Sequence, residues 1–350
     1  MKKKVLVAMS GGVDSSVAAL LLLSKGYHVA GATMVMFNNK DVNKQLIGDA
    51  KMVADKLKID HYVLNCEKDF ESTVIADFVT QYKLGKTPNP CVVCNKNIKF
   101  GVFLKYAKKM GFDYISTGHY ADVVYSADNN EYLLKKSVCE GKDQSYVLYN
   151  LTQEILPLVL FPLANLTKEE VKKIAIEKKL FVKNKPESQD ICFIPSGNYI
   201  SFLEEYTQQK SPVGNFITEE GNVLGKHSGI WNYTIGQRKK LGVSFNKKMF
   251  VSEINIEDNN ITLSETDPVN DRLMAENVNI VSPKMFKDGM VADVKIRYKH
   301  KQKPAKLYLK PNNELLVIFD EPQRAITKGQ SVVFYDGNIV VGGGKIEGIL

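Results

Sequence analysis

The segment from Ser10 to Ser15 has the composition of a phosphate-binding loop. It consists of Ser10, Gly11, Gly12, Val13, Asp14 and Ser15. An apolar run precedes it and an apolar pattern with helical spacing follows it, which predicts a strand, a loop and a helix. Glycines let backbone amides approach an anion, and the N-terminus of a helix adds the positive end of its dipole. We therefore predict a phosphate cradle here; the alternative is a strand-to-helix turn without a ligand.

This loop differs from the Walker type. A Walker loop places a Lys before its final Ser or Thr, and that Lys holds the β- and γ-phosphates of a nucleotide. The residue before Ser15 is Asp14, so this clamp is absent. The pattern Ser-Gly-Gly-x-Asp-Ser instead resembles the loop of the PP-loop ATP pyrophosphatases, which split ATP between its α- and β-phosphates.

Three cysteines have surroundings that suit sulfur chemistry. Cys91 and Cys94 form a Cys-x-x-Cys pair that follows two prolines at the predicted start of a helix. Seven lysines and no acidic residue lie between Phe78 and Phe112, and this positive field should lower the thiol pKa and attract phosphodiesters. We interpret Cys192 as a third thiol of the same site. Half of a zinc site, a redox pair and a set of cluster ligands remain open for the Cys-x-x-Cys pair.

Composition indicates a globular chain with an anionic partner. A chain of 350 residues with 44% hydrophobic residues can bury a sizeable core in two or three domains. Its formal net charge of +8 favours a polyanionic partner. Five cysteines with irregular spacing do not suit a secreted disulfide framework, and the longest apolar stretch is too short to span a bilayer. We expect a cytoplasmic protein without a membrane partner.

The first two hundred residues alternate predicted strands and helices. The strands are predicted over residues 4–9, 28–37, 61–65 and 113–118, and the helices over 14–25, 43–58, 68–84 and 95–110. Repeated units of this kind favour a doubly wound parallel sheet that binds ligands at the carboxyl ends of its strands. Residues 121–136 read as an inserted hairpin, and Thr167 with Glu170 predicts a capping box that opens a helix to Leu180.

Beyond residue 210 the pattern changes to short β-branched runs separated by turn residues. The predicted domains are an ATP-binding catalytic domain (1–205), a central β-rich domain (206–270) and a C-terminal β-barrel (271–350). Residues 295–303 carry a basic residue at every second position, so all five basic side chains would share one face of a strand. We predict that this face binds RNA; a solvated edge strand is the alternative.

Several motifs along nearly the whole chain resemble those of the tRNA-specific 2-thiouridylases of the MnmA type. They are SGGVDS (10–15), PNPCVVCN (88–95), STGHY (116–120), KDQSY (142–146), SQDICFI (188–194) and YTIGQRKKLG (233–242). The resemblance implies that ATP adenylates the C2 oxygen of the wobble uridine in the anticodon loop of a tRNA. Sulfur then displaces AMP to give 2-thiouridine. A sulfur-donor protein or a cysteine desulfurase relay would supply the sulfur.

The resemblance also implies roles for individual residues. Cys192 would carry sulfur as a persulfide, and Cys94 would attack it to release the sulfur as a Cys94–Cys192 disulfide forms. Asp14 would orient Mg²⁺ or the phosphates, or else cap its helix. The implied ATP site comprises Ala8, Met9, Ser10, Gly11, Gly12, Val13, Asp14, Ser15, Met34 and Gly118. The implied contacts with tRNA comprise Asn89, Pro90, Cys91, His119, Lys142, Asp143, Gln144, Arg297, Tyr298 and Gln330.

Cys91 departs from the family pattern, which often has Asp at this position. A thiol is a softer ligand than a carboxylate, and Cys91, Cys94 and Cys192 together could hold three irons of an iron–sulfur cluster. We favour this cluster over the persulfide pathway at this point, since it explains a thiol at position 91. Lys240 also departs from the family pattern, which usually has Gly there. Two other functions remain open: a PP-loop ligase or amidotransferase that acts on a small molecule, and a noncatalytic RNA-binding metalloprotein.

Overall fold

A parallel sheet forms the first part of the chain. The computed structural model describes residues 2–180, 191–243 and 247–350. Its first strands are β1 (Lys4–Ala8), β2 (His28–Val35), β3 (His61–Asn65), β4 (Tyr114–Ser116), β5 (Ala121–Ser126), β6 (Glu131–Lys136) and β7 (Val159–Leu160). Five of them pair in the order β3, β2, β1, β4, β7, and every pair is parallel. The predicted parallel sheet is therefore confirmed.

Helices cover both faces of this sheet. They are α1 (Val13–Ser24), α2 (Lys40–Leu57), α3 (Glu67–Phe70), α4 (Ala76–Lys83), α5 (Pro90–Cys94), α6 (Phe103–Lys109), α7 (Lys168–Glu177) and α8 (Tyr199–Thr207). The π-helical segments Glu71–Ile75 and Asn95–Val102 join α3 to α4 and α5 to α6. α7 ends before the predicted Leu180 because Lys179 adopts a left-handed φ of 50°. Within the described residues, no helix is long and apolar enough to cross a membrane.

Alternate residues of β1 serve opposite faces of the sheet. Val5 and Val7 belong to a core that also contains residues of α1 and α2. Leu6 belongs to a larger core with Phe70, Phe103 and other residues of the helices on the other face. This alternation follows from the two-residue period of a strand. The sheet is thus buried on both sides, as expected for a doubly wound fold.

A small mixed sheet forms the central part. Its strands are β8 (Gly214–Ile217), β9 (Val223–His227), β10 (Phe250–Asn255) and β11 (Asn260–Ser264), in the order β10, β11, β8, β9. β8 and β11 are parallel, and the other two pairs are antiparallel. The β-rich character predicted beyond residue 210 is therefore confirmed. The helix α8, just before this region, was not predicted.

The C-terminal part is a closed six-stranded barrel. Its strands are β12 (Val269–Ile280), β13 (Val291–Lys295), β14 (Lys303–Leu309), β15 (Leu315–Arg324), β16 (Ser331–Asp336) and β17 (Ile339–Ile349). They are hydrogen-bonded in the order β12, β15, β14, β13, β16, β17, and pairing of β12 with β17 closes the barrel. The hairpin β5–β6 adds to this sheet through the pairing of Lys135 with Ile339. A hairpin from the first part of the chain therefore extends the barrel sheet.

The prediction of a single basic strand over residues 295–303 is wrong. β13 ends at Lys295 and β14 begins at Lys303, and the two strands pair as an antiparallel hairpin. Between them the chain turns, and the His300 N–H donates to the Arg297 carbonyl at 3.0 Å. Ile296 is buried in the barrel core, which bends the chain away from a flat edge. The basic side chains therefore lie along a connecting loop and do not share one strand face.

Candidate active site

The loop between β1 and α1 is closely packed against the loop that follows β4. Gly11 has a φ of 66°, and a Cβ there would lie 2.9 Å from the Ala50 nitrogen and overlap the Asp49 side chain. A Cβ at Gly118 would lie 2.7 Å from the Ser15 nitrogen. Both distances are shorter than any real Cβ contact, so only glycine fits at these two positions. Backbone of two loops thus meets at the carboxyl edge of the sheet, where an anion would bind.

Hydroxyl groups stabilise the first turn after this loop. The Ser16 hydroxyl donates to the Gly12 carbonyl at 2.7 Å, and the Ser15 hydroxyl donates to the same carbonyl at 3.3 Å. The Ser10 N–H donates in turn to the Ser15 hydroxyl at 3.3 Å. Ser10 and Ser15 are therefore part of the hydrogen bonding that shapes the loop.

Met9, Thr33 and Met34, which lie near the phosphate loop, are buried. Met9 and Met34 are among the core residues. The Thr33 hydroxyl donates to the Met9 carbonyl at 3.0 Å, which fixes the end of β1 against β2. Ala8, the last residue of β1, is half-buried beside them. Met34 thus lies near the end of β2, as the implied ATP site requires. Most of its side chain packs in the core, so little of it is exposed to a ligand.

Asp14 forms an ion pair that the sequence did not indicate. The Lys168 ammonium donates to both Asp14 carboxylate oxygens, at 2.6 and 2.7 Å, and the Tyr120 hydroxyl donates to one of them at 2.9 Å. The α1 helix has Gly12 at its N-cap, without a side-chain cap. Asp14 is therefore not a helix cap here. Its carboxylate instead joins α1 to α7 and to the loop after β4.

Cys91 and Cys94 lie on the short helix α5, which begins directly after the two prolines of the motif. The Asn89 side chain caps this helix by accepting from the Val92 N–H at 3.4 Å, and Pro90 occupies its first turn. Cys91 is exposed, whereas Cys94 is buried. The following π-helical segment begins at the buried Asn95, whose amide donates to the Val147 carbonyl at 3.1 Å.

Cys192 reaches the same region from a distant part of the chain. Phe193 anchors it, because its ring packs edge-on against Phe70 and Phe78 with centroid distances of 5.5 and 5.4 Å. The Cys192 side chain remains exposed. Ser188, Gln189 and Asp190 of the same motif lie outside the described residues.

Burial, rather than the lysine-rich surroundings, controls the Cys94 thiol. Burial raises the pKa of Cys94 to about 12, and nearby Cys192 and Cys91 raise it further, while Lys99 lowers it. Desolvation by neighbouring protein atoms also raises the pKa of Cys192. Cys91 raises it further, and Lys99 lowers it. Lys99 thus lowers both thiol pKa values as expected, but burial outweighs this effect and leaves both above their usual value. The mutual effects also show that all three thiols lie close enough to interact electrostatically.

The segment that carries Cys91 is attached to both of the other parts of the chain. The Thr87 N–H donates to the Lys328 carbonyl at 2.9 Å, and the Gln330 amide donates to the Thr87 and Pro88 carbonyls at 2.9 and 3.3 Å. The Thr87 hydroxyl donates to Thr234 of the central part at 3.1 Å. We call residues 86–90, with these partners, the three-part junction. It fixes the entry to helix α5.

Comparison with known proteins assigns the chain to a family. Residues 3–196 match a family model described as a tRNA methyl transferase HUP domain, residues 200–265 match its PRC-barrel domain, and residues 270–346 match an aminomethyltransferase beta-barrel domain. A tRNA-specific 2-thiouridylase MnmA of Acetivibrio thermocellus is 48% identical over 99% of each chain. The chain belongs to the MnmA family of tRNA-specific 2-thiouridylases. MnmA proteins of Caldicellulosiruptor saccharolyticus and Clostridioides difficile are 49% and 47% identical, again over 99% of each chain.

His119 of the MnmA motif STGHY is enclosed in the protein. Its ring packs against Phe100 and Phe161 at centroid distances of 5.9 and 6.1 Å, and its Nδ1 is 2.7 Å from the Thr117 hydroxyl. Burial lowers the pKa of His119 well below the usual value, and Lys99 lowers it further. The imidazole is therefore neutral at physiological pH. This geometry suits a structural hydrogen bond, and contact with a substrate stays a prediction.

The MnmA motif KDQSY contacts the barrel and the loop after β4. The Asp143 carboxylate accepts from the Ser137 N–H at 3.1 Å and from the Ser145 hydroxyl at 2.7 Å. The Gln144 amide oxygen accepts from the Tyr120 N–H at 3.0 Å. Asp143 and Gln144 thus organise the backbone, while Lys142 beside them is half-buried. Their predicted contact with tRNA is a proposal that these bonds do not test.

Tyr298 joins the basic loop of the barrel to the KDQSY motif. Its hydroxyl donates to the Asp143 carbonyl at 3.0 Å. Burial raises the pKa of Tyr298, and Asp143 and Cys91 raise it further. The Arg297 guanidinium donates to the Arg324 carbonyl at 3.2 Å. The loop over residues 296–302 is therefore fixed to the motif at one point and to β15 at another.

The three thiols do not fit the predicted iron–sulfur cluster as they are placed. Within the described residues, which include all five cysteines, no group of three or more His, Cys, Asp or Glu side chains is arranged to hold a metal ion. All five cysteines are free, so the disulfide implied between Cys94 and Cys192 is absent from this structure. Asp14 likewise has both oxygens bound to Lys168, which leaves it unsuited to hold Mg²⁺ in this arrangement.

Removing the Gln330 amide should displace the Cys91 segment without unfolding the barrel. Gln330→Ala leaves the Thr87 and Pro88 carbonyls without this donor, which costs about 1 kcal/mol for each hydrogen bond. We expect a two- to tenfold lower rate of tRNA thiolation. Gln323→Ala is the matched control, because the Gln323 amide donates to the Glu321 carbonyl of its own strand. Equal losses in the two variants would contradict a specific role for the junction.

Proposed function

We propose that this protein is an ATP-dependent sulfurtransferase that converts the wobble uridine of tRNA to 2-thiouridine. The observation that carries the proposal is a contact between the segment that follows Cys94 and the loop after β4. The Phe100 ring packs against His119, the neighbour of Gly118, at a centroid distance of 5.9 Å. This contact supports a single site that includes both the phosphate loop and the thiols. The full-length similarity to proteins named tRNA-specific 2-thiouridylase supports the same substrate.

The first step would activate the base. The C2 oxygen of uridine attacks the α-phosphate of ATP, the bond between the α- and β-phosphates breaks, and pyrophosphate leaves. Backbone N–H groups of residues 10–15 would hold the phosphates at the N-terminus of α1, and the close packing at Gly11 and Gly118 would keep this loop in place. Mg²⁺ would arrive with the nucleotide. A base in an anticodon must leave its stack to reach these groups, and Asn89, Pro90 and Cys91 are the residues that we expect to meet it.

The second step would transfer sulfur. A persulfide on Cys192, loaded by a sulfur-donor protein or cysteine desulfurase relay, is attacked at its Cys192 sulfur by the Cys94 thiolate. A Cys94–Cys192 disulfide forms and hydrosulfide leaves. Hydrosulfide then attacks C2 of the adenylated base, and AMP departs. A thiol reductant must return two electrons to the disulfide before the next cycle. None of these reaction steps requires an iron–sulfur cluster.

The three parts of the chain would have different roles in the reaction. We propose that residues 1–205 bind ATP and carry the thiols, that residues 206–270 link the two ends, and that residues 271–350 bind tRNA. The hydrogen bonds from Tyr298 to Asp143 and from Gln330 to the three-part junction support a tRNA path that runs from the barrel into the site.

The decisive experiment measures nucleotide cleavage and thiolation in one reaction. The full chain is incubated with MgATP, unmodified tRNA and a persulfide donor, and AMP, pyrophosphate and 2-thiouridine are quantified. We expect all three products in equal amounts and only when tRNA is present. Cleavage that needs a small molecule instead of tRNA would establish a ligase or amidotransferase, and tRNA binding without cleavage would establish a noncatalytic RNA-binding protein.

The basic loop should contribute to tRNA affinity through phosphate contacts. We expect Arg297→Ala with Lys299→Ala to weaken tRNA binding and to reduce the slope of log affinity against log salt by about 1 to 2, because each lost phosphate contact removes about one unit. Lys310→Ala is the control, because Lys310 directly follows the other end of β14, away from the loop. Binding titrations at several salt concentrations measure both quantities. Equal slopes of log affinity against log salt for the variant and the parent would show that the loop is a solvated surface without phosphate contacts.

A further inference from the structure

The phosphate loop carries an acid in a position where a nucleotide would be repelled. Asp14 lies in the first turn of α1, next to Ser15 and to the close approach of Gly118. The triphosphate of ATP carries about four negative charges at neutral pH, and like charges at short range disfavour each other. The loop itself contains no basic residue. Mg²⁺ that arrives with the nucleotide would offset part of the phosphate charge, and a fixed cation of the fold beside Asp14 would reduce the remaining repulsion.

Lys168 supplies that cation from a remote helix. It stands at the first position of α7, after the Thr167 cap. α7 packs against α1 in a shared core in which Val171 and Ala175 meet Val17 and Ala18. This packing places the ammonium on both carboxylate oxygens of Asp14, at 2.6 and 2.7 Å. The Lys168 side chain is only 11% exposed and that of Asp14 33%, so water screens the pair less than it screens surface pairs.

Neighbouring groups keep this pair intact. The Tyr120 hydroxyl donates to Asp14 at 2.9 Å, and its ring lies 5.8 Å below the Lys168 ammonium. Glu170, two residues along α7, is occupied by the capping box, where it accepts from the Thr167 N–H at 2.7 Å. This carboxylate is thus engaged with the cap. The Asp14 carboxylate is held in one place by two donors from two other elements.

We propose that Lys168 is a positioning residue for ATP, which acts by neutralising Asp14 and holding it away from the phosphate-binding amides. This role rests on the proposed use of ATP, and it explains how a loop without its own lysine remains selective for a polyanion. Lys168 acts through Asp14 and does not itself contact the phosphates.

A double-mutant cycle tests this assignment. The probe is α,β-methylene-ATP with Mg²⁺, which keeps all three phosphates but cannot be cleaved at the α–β bond, and calorimetry on the full chain gives its Kd. We expect Lys168→Met to raise the Kd about tenfold or more, and Lys168→Arg to raise it less than about threefold. In an Asp14→Asn background, Lys168→Met should change the Kd less than twofold, because no charge remains to be compensated.

Two outcomes would overturn the assignment. An unchanged Kd in Lys168→Met would show that the pair only joins two helices. An equal rise of the Kd in the parent and in the Asp14→Asn background would show that Lys168 binds the phosphates directly. Lys173→Met, on the same helix with a side chain 76% exposed, is the control for folding and net charge. The measurement needs neither tRNA nor a sulfur donor, so a failure of the proposed thiolation would leave it interpretable.

Discussion

Cys94→Ser and Cys192→Ser should each abolish thiolation, with a loss of at least about a thousandfold, while Cys91→Ser should retain most of the activity. In the persulfide pathway Cys192 carries the sulfur and Cys94 releases it, and serine can do neither. Cys91 has no required step. Thiolation of tRNA under anaerobic conditions, with a persulfide donor and one turnover of enzyme, measures all three variants.

The same variants decide between the persulfide and a cluster. If three thiols held an iron–sulfur cluster, each of the three substitutions would remove both iron and activity. Iron and sulfide are therefore measured on anaerobically purified protein beside the activity. Cys139→Ser is the matched control, since Cys139 is free and lies outside the group of interacting thiols. Inactive, iron-free Cys91→Ser beside an active, iron-containing parent would contradict the persulfide pathway.

Gly118→Ala should reduce ATP cleavage about ten- to hundredfold without weakening tRNA binding. The new methyl group would lie 2.7 Å from the Ser15 nitrogen and 2.9 Å from the Asp14 carbonyl carbon, both backbone atoms. The phosphate loop must move away, and overpacking of this kind costs about 1–3 kcal/mol. At about 1.4 kcal/mol for each factor of ten, this gives the expected loss. Pyrophosphate release in the presence of tRNA measures it.

Gly141→Ala is the control for this substitution. A Cβ at Gly141 has no neighbour within 4 Å, so the same chemical change is made without overlap. Gly118→Ala with normal pyrophosphate release would separate the loop after β4 from the nucleotide site. A parallel fall in tRNA affinity would instead indicate a general disturbance of the fold.

Local patterns were sufficient to predict the parts of the site that are built from adjacent residues. The phosphate loop follows from a strand, two glycines and a helix that stand together in the sequence, and helix α5 follows from its prolines and Asn89 cap. The alternation of Val5, Leu6 and Val7 also required only the strand period. In each case, the residues that determine the structure lie within a few positions of one another.

Contacts between distant segments were not predictable in this way. In the sequence, Lys168 resembles any lysine at the start of a capped helix. Only the packing of α7 against α1 places it beside Asp14. Residues 295–303 satisfied a strand pattern, but burial of Ile296 and pairing of β13 with β14 made them a hairpin loop. The β5–β6 hairpin gave no sign that it would extend the barrel sheet. These outcomes depend on tertiary packing, which overrides local preference.

The three-part junction has a consequence for how the protein becomes active during synthesis. Lys86 pairs with Glu347, which lies in the last strand of the chain, and Thr87 receives its partners from residues 234, 328 and 330. The segment that carries Cys91 and Cys94 can therefore reach its final position only after Glu347 has been synthesised. A truncated chain could fold its nucleotide-binding sheet but would lack the contacts that set Cys91 and Cys94. A chain that stops before β17 would thus lack a complete thiol site.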